Sequence, residues 1–424
     1  MIDNDLNVFE FHNRYIVINK KTNGWAILNE DEVVNFYSPI MVNNSELNER
    51  LYECGIIINN GQYVSILEEN IEQNIIYFEI NVTGNCNLRC NYCISNFNKN
   101  NNISAMNIDT ATQFCTKVED YINKYISSEP QIVIEFSGGE PMLNFEIIKF
   151  IIKRLSRFSS VSYVIQTNGT MINSKSIEFF KEYENVNIAI SLDGINLTHN
   201  INRVDKSGQN IYERVLSNLR EIHESGVKYN VVSVIHEDNI QDLEEIVCEF
   251  NKQGIKDFSL LPLLDFDPEN KHKLLKSSEL FAQKLWELNL NLLEKYYFNK
   301  NKTISQRDIG LCFYYLVQPN RNFMCNRNPC GAGINIVSIS PTGDVYPCYG
   351  FQCMKDFLLG NINDSDFDFN DIQENQVVDI LKKRRDSIKD CKECNYSTWC
   401  YGGCPSNAFL GTKDITRRKD VPHF

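Results

Sequence analysis

The sequence predicts an α/β protein: a partial (β/α)6 TIM-type barrel, preceded by a small winged-helix-like α+β module and followed by a cysteine-rich C-terminal region. Three observations carry this expectation. Six strand-like runs alternate with helix-like segments from residue 77 to about 298. Residues 1–75 have a different rhythm, short strands and then short helices. Nine of the fifteen cysteines lie after residue 311. A chain of 424 residues suggests two or three domains. The boundaries are drawn at 1–75, 76–305 and 306–424.

In the first segment FEFHN and RYIVINKKTNGWAILN read as strands, with Asn23-Gly24 as a hairpin turn. EDEVVNFYS and SELNERLYEC read as short helices. The polar stretch LEENIEQN leads into the next strand.

The six strand-like runs are YFEINVT, QIVIEFS, SYVIQT, VNIAISL, YNVVSVI and DFSLLPLL. Between them Phe145, Ile148, Ile151, Ile152 and Leu155 mark one helical face, as do Ile240, Leu243, Ile246, Val247 and Phe250. Successive β-α units argue for a parallel sheet with right-handed crossovers. A doubly wound open sheet is the alternative topology. A long helix from about Ser277 to Phe298 closes the region. Beyond residue 300 the strand signals are short, and the expectation is a cluster-organised domain with little conventional core.

Composition excludes several classes. Lys and Arg number 42 against 55 Asp and Glu, a net charge of -13, which argues against general nucleic-acid binding. No apolar run reaches the roughly 18 residues of a membrane span, so no membrane partner is expected. The acidic N-terminus MIDNDLNVFEF is unlike a signal peptide, and a cytoplasmic location is expected. In that reducing compartment cysteines point to metal or catalysis rather than disulfides. Cys54, Cys115 and Cys248 stand alone and read as small buried apolar side chains.

Cys86-x3-Cys90-x2-Cys93 directly follows the first barrel strand. Three thiolates on a tight loop suit one face of an iron–sulfur cluster and leave its fourth iron open. Zinc more often takes four protein ligands. The position, at the C-terminal end of a strand, is where barrel active sites are built.

CNLRCNYC resembles the cluster motif of the radical SAM superfamily. The resemblance implies a [4Fe-4S] cluster whose open iron binds S-adenosylmethionine, and reductive cleavage of that cofactor to a 5'-deoxyadenosyl radical. Tyr92 matches the family's aromatic position beside the adenine. Ser137-Gly138-Gly139-Glu140-Pro141 resembles the family's GGE element, with Gly138 and Gly139 allowing close backbone approach and Glu140 meeting the methionine amino group. Asn168, in TNGT, and Ser191, in SLDG, resemble elements near the cofactor, Ser191 at the ribose. Arg203 is the candidate partner of the cofactor carboxylate, since a planar cation suits bidentate pairing.

The C-terminal cysteines resemble the SPASM extension of radical SAM enzymes, which binds two auxiliary iron–sulfur clusters, expected as [4Fe-4S]. The resemblance assigns Cys325, Cys330, Cys348 and Cys404 to the first, and Cys391, Cys394 and Cys400 to the second. No cysteine follows Cys404 to complete the second set. Cys353 or Cys312, another ligand, an open iron, or a residue beyond Phe424 are the alternatives.

SPASM enzymes act on peptides or proteins. In the sulfatase-activating branch an aspartate follows the mid-domain cysteine as a base, whereas here Tyr349 follows Cys348. CGAG…SPTGDVYPC looks more like maturases of ribosomally synthesised peptides, of sactipeptide or ranthipeptide type, which form Cys S-to-carbon or C–C crosslinks. The N-terminal module resembles the leader-recognition element of such maturases; a structural cap is the plain alternative. The expected partners are a precursor peptide and a reducing protein such as ferredoxin or flavodoxin. Sulfatase activation and a non-enzymatic iron–sulfur carrier or sensor are the competing readings. A carrier needs no cofactor pocket.

Overall fold

The computed structural model describes residues 6–11, 13–19, 24–37, 45–57, 75–93, 104–124, 131–263, 278–292, 295, 304–307, 325, 330–391, 394 and 402–417. Asn23, Cys312, Cys400, the LEENIEQN stretch and both ends of the long helix expected at about 277–298 lie outside them.

The N-terminal module is an antiparallel meander of β1 (Leu6–Phe11), β2 (Arg14–Asn19) and β3 (Trp25–Leu28), followed by α1 (Glu30–Tyr37) and α2 (Ser45–Glu53). Asn13 takes the left-handed conformation, φ 57°, in the tight first turn, which asparagine tolerates better than most residues. Asn29 caps α1 reciprocally: the Glu32 N–H donates to Asn29 Oδ1 and the Asn29 N–H to Glu32 Oε2, both at 2.8 Å. Val17, Ala26, Leu28, Val33, Phe36, Leu47, Leu51 and Ile56 form a core of the module's own.

The central strands are β4 (Tyr77–Thr83), β5 (Ile132–Gly138), β6 (Val161–Thr167), β7 (Val186–Ser191), β8 (Lys228–Ile235) and β9 (Asp257–Pro262). They are all parallel and lie side by side in chain order. A doubly wound sheet requires the strand order to reverse partway, so the sequential order decides for the barrel-type arrangement. The helices between them are α3 (Ile108–Asn123), α4 (Phe145–Leu155), α5 (Ser174–Lys181), α6 (Tyr212–Ser225) and α7 (Leu243–Lys252), with α8 (Ser278–Leu292) after β9. Strand alternation separates two faces. On β5, Ile132, Ile134 and Phe136 are buried in the core, while Val133 and Glu135 on the other face are half-buried. The helical faces pack as their spacing demands: Ile148, Ile151, Ile152 and Leu155 of α4 are fully buried.

The C-terminal region departs from expectation. β10 (Ser305–Gln306) pairs with β9, so the boundary drawn at 305/306 falls inside a strand. β11 (Ile336–Ile339) pairs in parallel with β4, and β12 (Asp344–Tyr346) and β13 (Gly360–Asn361) extend the sheet antiparallel. The region also has a conventional core. Ile334, Val337, Ile339, Val345, Phe369 and Val378 join the barrel's own, and Phe78 of β4 meets Phe369 edge-on at 5.0 Å. Strands of two to four residues are too short to show periodicity, which is why the sequence did not reveal this. α9 (Gln376–Ser387) and α10 (Pro405–Thr412) complete the described elements. Among the described residues no helix is long and apolar enough to cross a membrane.

Candidate cofactor and iron–sulfur site

The cysteine loop leaves the top of β4 and is zipped to the loop at residues 202–205. The Arg89 N–H donates to Val204 O at 2.8 Å and the Asn91 N–H to Asn202 O at 2.9 Å, and Leu88 bridges Asp205. The three thiols act on one another. Burial pushes Cys90 up to about 11, opposed by the Arg203 charge and reinforced by Cys93 and Cys86. Burial also raises Cys86, against a bond from the Leu88 N–H at 3.4 Å. Buried thiols stay protonated until a cation takes the thiolate. A thiol-rich loop of this kind fits iron, because soft thiolates select iron–sulfur clusters.

Gly138 and Gly139 clamp the loop. Gly138 has φ +123°, and a Cβ there would stand 2.1 Å from Asn81 Oδ1 and 2.3 Å from Thr83 O. A Cβ on Gly139 would stand 2.2 Å from Asn85 O. The Gly139 N–H donates to Thr83 O and the Glu140 N–H to Asn85 O, both at 2.8 Å. Glu140 is anchored by donors from its own loop and from the end of β6. Its carboxylate is fully buried and accepts from Thr167 Oγ1 at 2.6 Å, Asn168 N at 2.8 Å and Met142 N at 3.1 Å. Burial pushes it up to about 7, against these three donors. The side chain ties the end of β5 to the end of β6. Asn168 Nδ2 reaches Asn87 Oδ1 at 2.9 Å and Cys86 Sγ at 3.9 Å. Ser191 accepts from Gln166 Nε2 at 3.3 Å.

Arg203 and Tyr92 meet at Asp193. Arg203 Nη2 donates to Asp193 Oδ1 at 2.9 Å. The Tyr92 hydroxyl donates to Asp193 Oδ2, and the guanidinium lies 5.5 Å from the Tyr92 ring centroid. Asp193, fully buried, thus joins two groups expected near the cofactor. Its position in SLDG was the available signal. Arg203 Nε is buried with no acceptor in the protein, an orphaned donor beside the cysteine loop, as a missing group would leave.

The second cysteine set belongs to the region whose strands extend the sheet beyond β4. The Cys348 thiol is raised by burial, then by Glu79, Cys404, Cys330 and Cys325. Cys325 is raised by burial, then by Cys330 and Cys404. The four thiols expected in the first auxiliary set are thus neighbours. Among the described residues no three metal-binding side chains close on a single ion, and a cube-shaped cluster holds its thiolates farther apart than one ion does. Cys391 and Cys394 are described, Cys400 is not. Burial raises Cys353, then Asp344, and no other thiol among the described residues acts on it. Cys353→Ala should therefore leave iron content unchanged while Cys394→Ala lowers it. Equal iron losses in the two variants would make Cys353 a ligand.

Two carboxylates that sequence reading passed over face the barrel interior. Glu79 and Glu135 are register partners on β4 and β5. Burial and then Glu135 push Glu79 up to about 8. Burial likewise raises Glu135, against a bond from the Tyr77 hydroxyl. Glu79 also accepts the Tyr349 N–H at 2.6 Å, so a carboxylate from β4 stands beside the residue that follows Cys348. Tyr77, Glu135, Gln166, Asn187, Asn230 and Arg307 line part of an interior cavity of about 1100 Å³.

Comparison with known proteins decides the family. The model of the radical SAM superfamily matches residues 80–248, and that of an iron–sulfur cluster-binding domain, SPASM, matches 330–395. A cysteine-type anaerobic sulfatase-maturating enzyme of Clostridium novyi (strain NT) is 30% identical over 338 residues, 77% of this chain and 86% of that one. The chain belongs to the radical SAM superfamily. Among solved structures, native anSMEcpe with bound AdoMet aligns with TM-score 0.69 at 20% identity, over 81% of this chain and 93% of that one. Streptococcus suis SuiB bound to S-adenosylmethionine aligns with TM-score 0.63 at 17% identity, over 99% of both chains; SuiB has also been solved with its precursor peptide SuiA. These likenesses confirm the fold, a radical SAM domain with a SPASM extension. This radical SAM enzyme uses S-adenosylmethionine and iron–sulfur clusters; a cluster held by Cys86, Cys90 and Cys93 would supply the electron for cleavage of the cofactor. The chain's own residues bury and orient that site.

Proposed function

We propose that this enzyme matures a ribosomally synthesised precursor peptide, joining a cysteine sulfur or a carbon to another carbon. Cys86, Cys90 and Cys93 hold the radical cluster. Cys325, Cys330, Cys348 and Cys404 hold the first auxiliary cluster, and Cys391, Cys394 and Cys400 contribute to the second. The observation that carries the reading is the N-terminal module. It is a three-stranded sheet with its own core, and β1 and β3 each pair on one side only among the described strands. An edge strand can take a peptide as a further strand through backbone bonds. The SuiB fold spans this module as well, and SuiB binds a precursor peptide. The sulfatase-maturating relative spans 77% of this chain.

That relative supports a second reading, sulfatase maturation. Tyr349, in the place where that branch is expected to carry an aspartate, weighs against it. One experiment separates the two. The reconstituted enzyme is incubated anaerobically with S-adenosylmethionine, a reductant and either a peptide encoded beside its gene or a sulfatase active-site peptide. The expected product of the first has lost two hydrogens per crosslink, resists fragmentation between the joined residues and does not react with hydrazines. A hydrazine-reactive aldehyde formed on the sulfatase peptide alone would establish the second reading. Deleting residues 1–75 should weaken binding of the matured peptide's precursor by at least about tenfold, the loss of one or two net backbone bonds. Uncoupled cofactor cleavage should persist.

A further inference from the structure

Arg203 and Cys90 face each other across a short antiparallel ladder. The bonds from Arg89 N–H to Val204 O and from Asn91 N–H to Asn202 O flank them, and the bridge between Leu88 and Asp205 sets the same register. Counting from that bridge, residue 90 stands opposite residue 203. The pair between two hydrogen-bonded pairs is the non-hydrogen-bonded kind, in which facing side chains approach most closely. Arg203 thus emerges beside the Cys90 thiol.

The guanidinium is fixed in that place. It is 6% exposed, bonded to Asp193 at 2.9 Å and set 5.5 Å from the Tyr92 ring centroid. Asp193 is itself held by the Val234 N–H at 3.0 Å, and its backbone by Asn200 and Asn239. Arg203 Nε keeps a buried N–H with no acceptor in the protein. An unmade buried bond of this kind is costly, and a thiolate or sulfide at the cysteine loop would satisfy it.

We propose that Arg203 is a positioning residue for the radical cluster, setting its reduction potential through Cys90. A fixed cation beside a cluster thiolate favours the form with one more electron, so it makes reduction by a low-potential donor easier. Asp193 holds the cation in place and offsets part of its charge. The inference rests on Cys90 being a ligand of that cluster.

The test uses full-length chains reconstituted anaerobically: wild type, Arg203→Met, Arg203→Lys and Asp193→Asn. Iron is counted, and the midpoint potential is titrated for the cluster whose electron paramagnetic resonance signal changes when S-adenosylmethionine is added. Arg203→Met should keep its iron but require a more negative poise. The reduced fraction at a fixed poise should fall about tenfold, the scale of one charge-assisted bond. Arg203→Lys should shift less in the same direction, since it keeps the charge without the planar fork. Asp193→Asn should shift the other way. A wild-type potential in Arg203→Met overturns the proposal. If Arg203→Met cannot hold the cluster, Asp193→Asn decides, and an unchanged potential there overturns it. A wild-type protein with no cofactor-responsive signal defeats the cluster assignment instead, and this proposal with it.

Discussion

Replacing Cys86, Cys90 and Cys93 together with Ala should abolish reductive cleavage of S-adenosylmethionine and remove about four irons per chain, the content of one [4Fe-4S] cluster. The loop lies at the top of β4, where the three thiols sense one another. The second cysteine set is organised around Cys348 on the SPASM side, so its iron stays. The fold should survive the change. The loop's backbone ladder to residues 202–204 involves no thiol, and Cys86 and Cys90 lie at the margin of the core. Anaerobic iron analysis and quantification of 5'-deoxyadenosine under strong reduction check this. Full 5'-deoxyadenosine production by the triple variant would sink the cluster assignment.

Gly139→Ala should impair cleavage by a different route. The new Cβ would stand 2.2 Å from Asn85 O, a backbone atom that cannot swing aside as a side chain can. Asn85 directly precedes Cys86, so relief of the clash moves the first cysteine. The Glu140 N–H bond to Asn85 O, 2.8 Å, is strained by the same movement. Overpacking of this kind costs about 1–3 kcal/mol, which corresponds to about fivefold to a hundredfold in occupancy of the competent loop. Cofactor cleavage should fall by at least about fivefold, with cluster loading reduced and thermal unfolding only modestly earlier. Cleavage at the wild-type rate would show that the loop does not depend on the glycine clamp.

The barrel and its cysteine loop were legible because their signals are local. Six alternating runs with helical faces between them predict parallel strands, and every one of the six became a strand. The spacing of Cys86, Cys90 and Cys93 is a property of one short loop, and so is the SLDG turn. Glu140 and Arg203 show where local reading stops. Their residue types suit an ammonium and a carboxylate, but which partner each meets depends on groups distant in the chain. Thr167 and Asn168 take the carboxylate, and Asp193 takes the guanidinium.

The sequence by itself determined the α/β class, the strand order of appearance, the cysteine sets and the family they resemble. Each of these depends on residue type and short-range spacing, which folding does not alter. Only the tertiary structure decided that the C-terminal region adds β11 to the edge of β4, and that Glu79 and Glu135 stand side by side. It also decided that Glu79 holds Tyr349 and that Arg203 faces Cys90. These pairings join residues tens to hundreds of positions apart. Which of them form is decided by the register of strands and loops in three dimensions, and no periodicity along the chain encodes it.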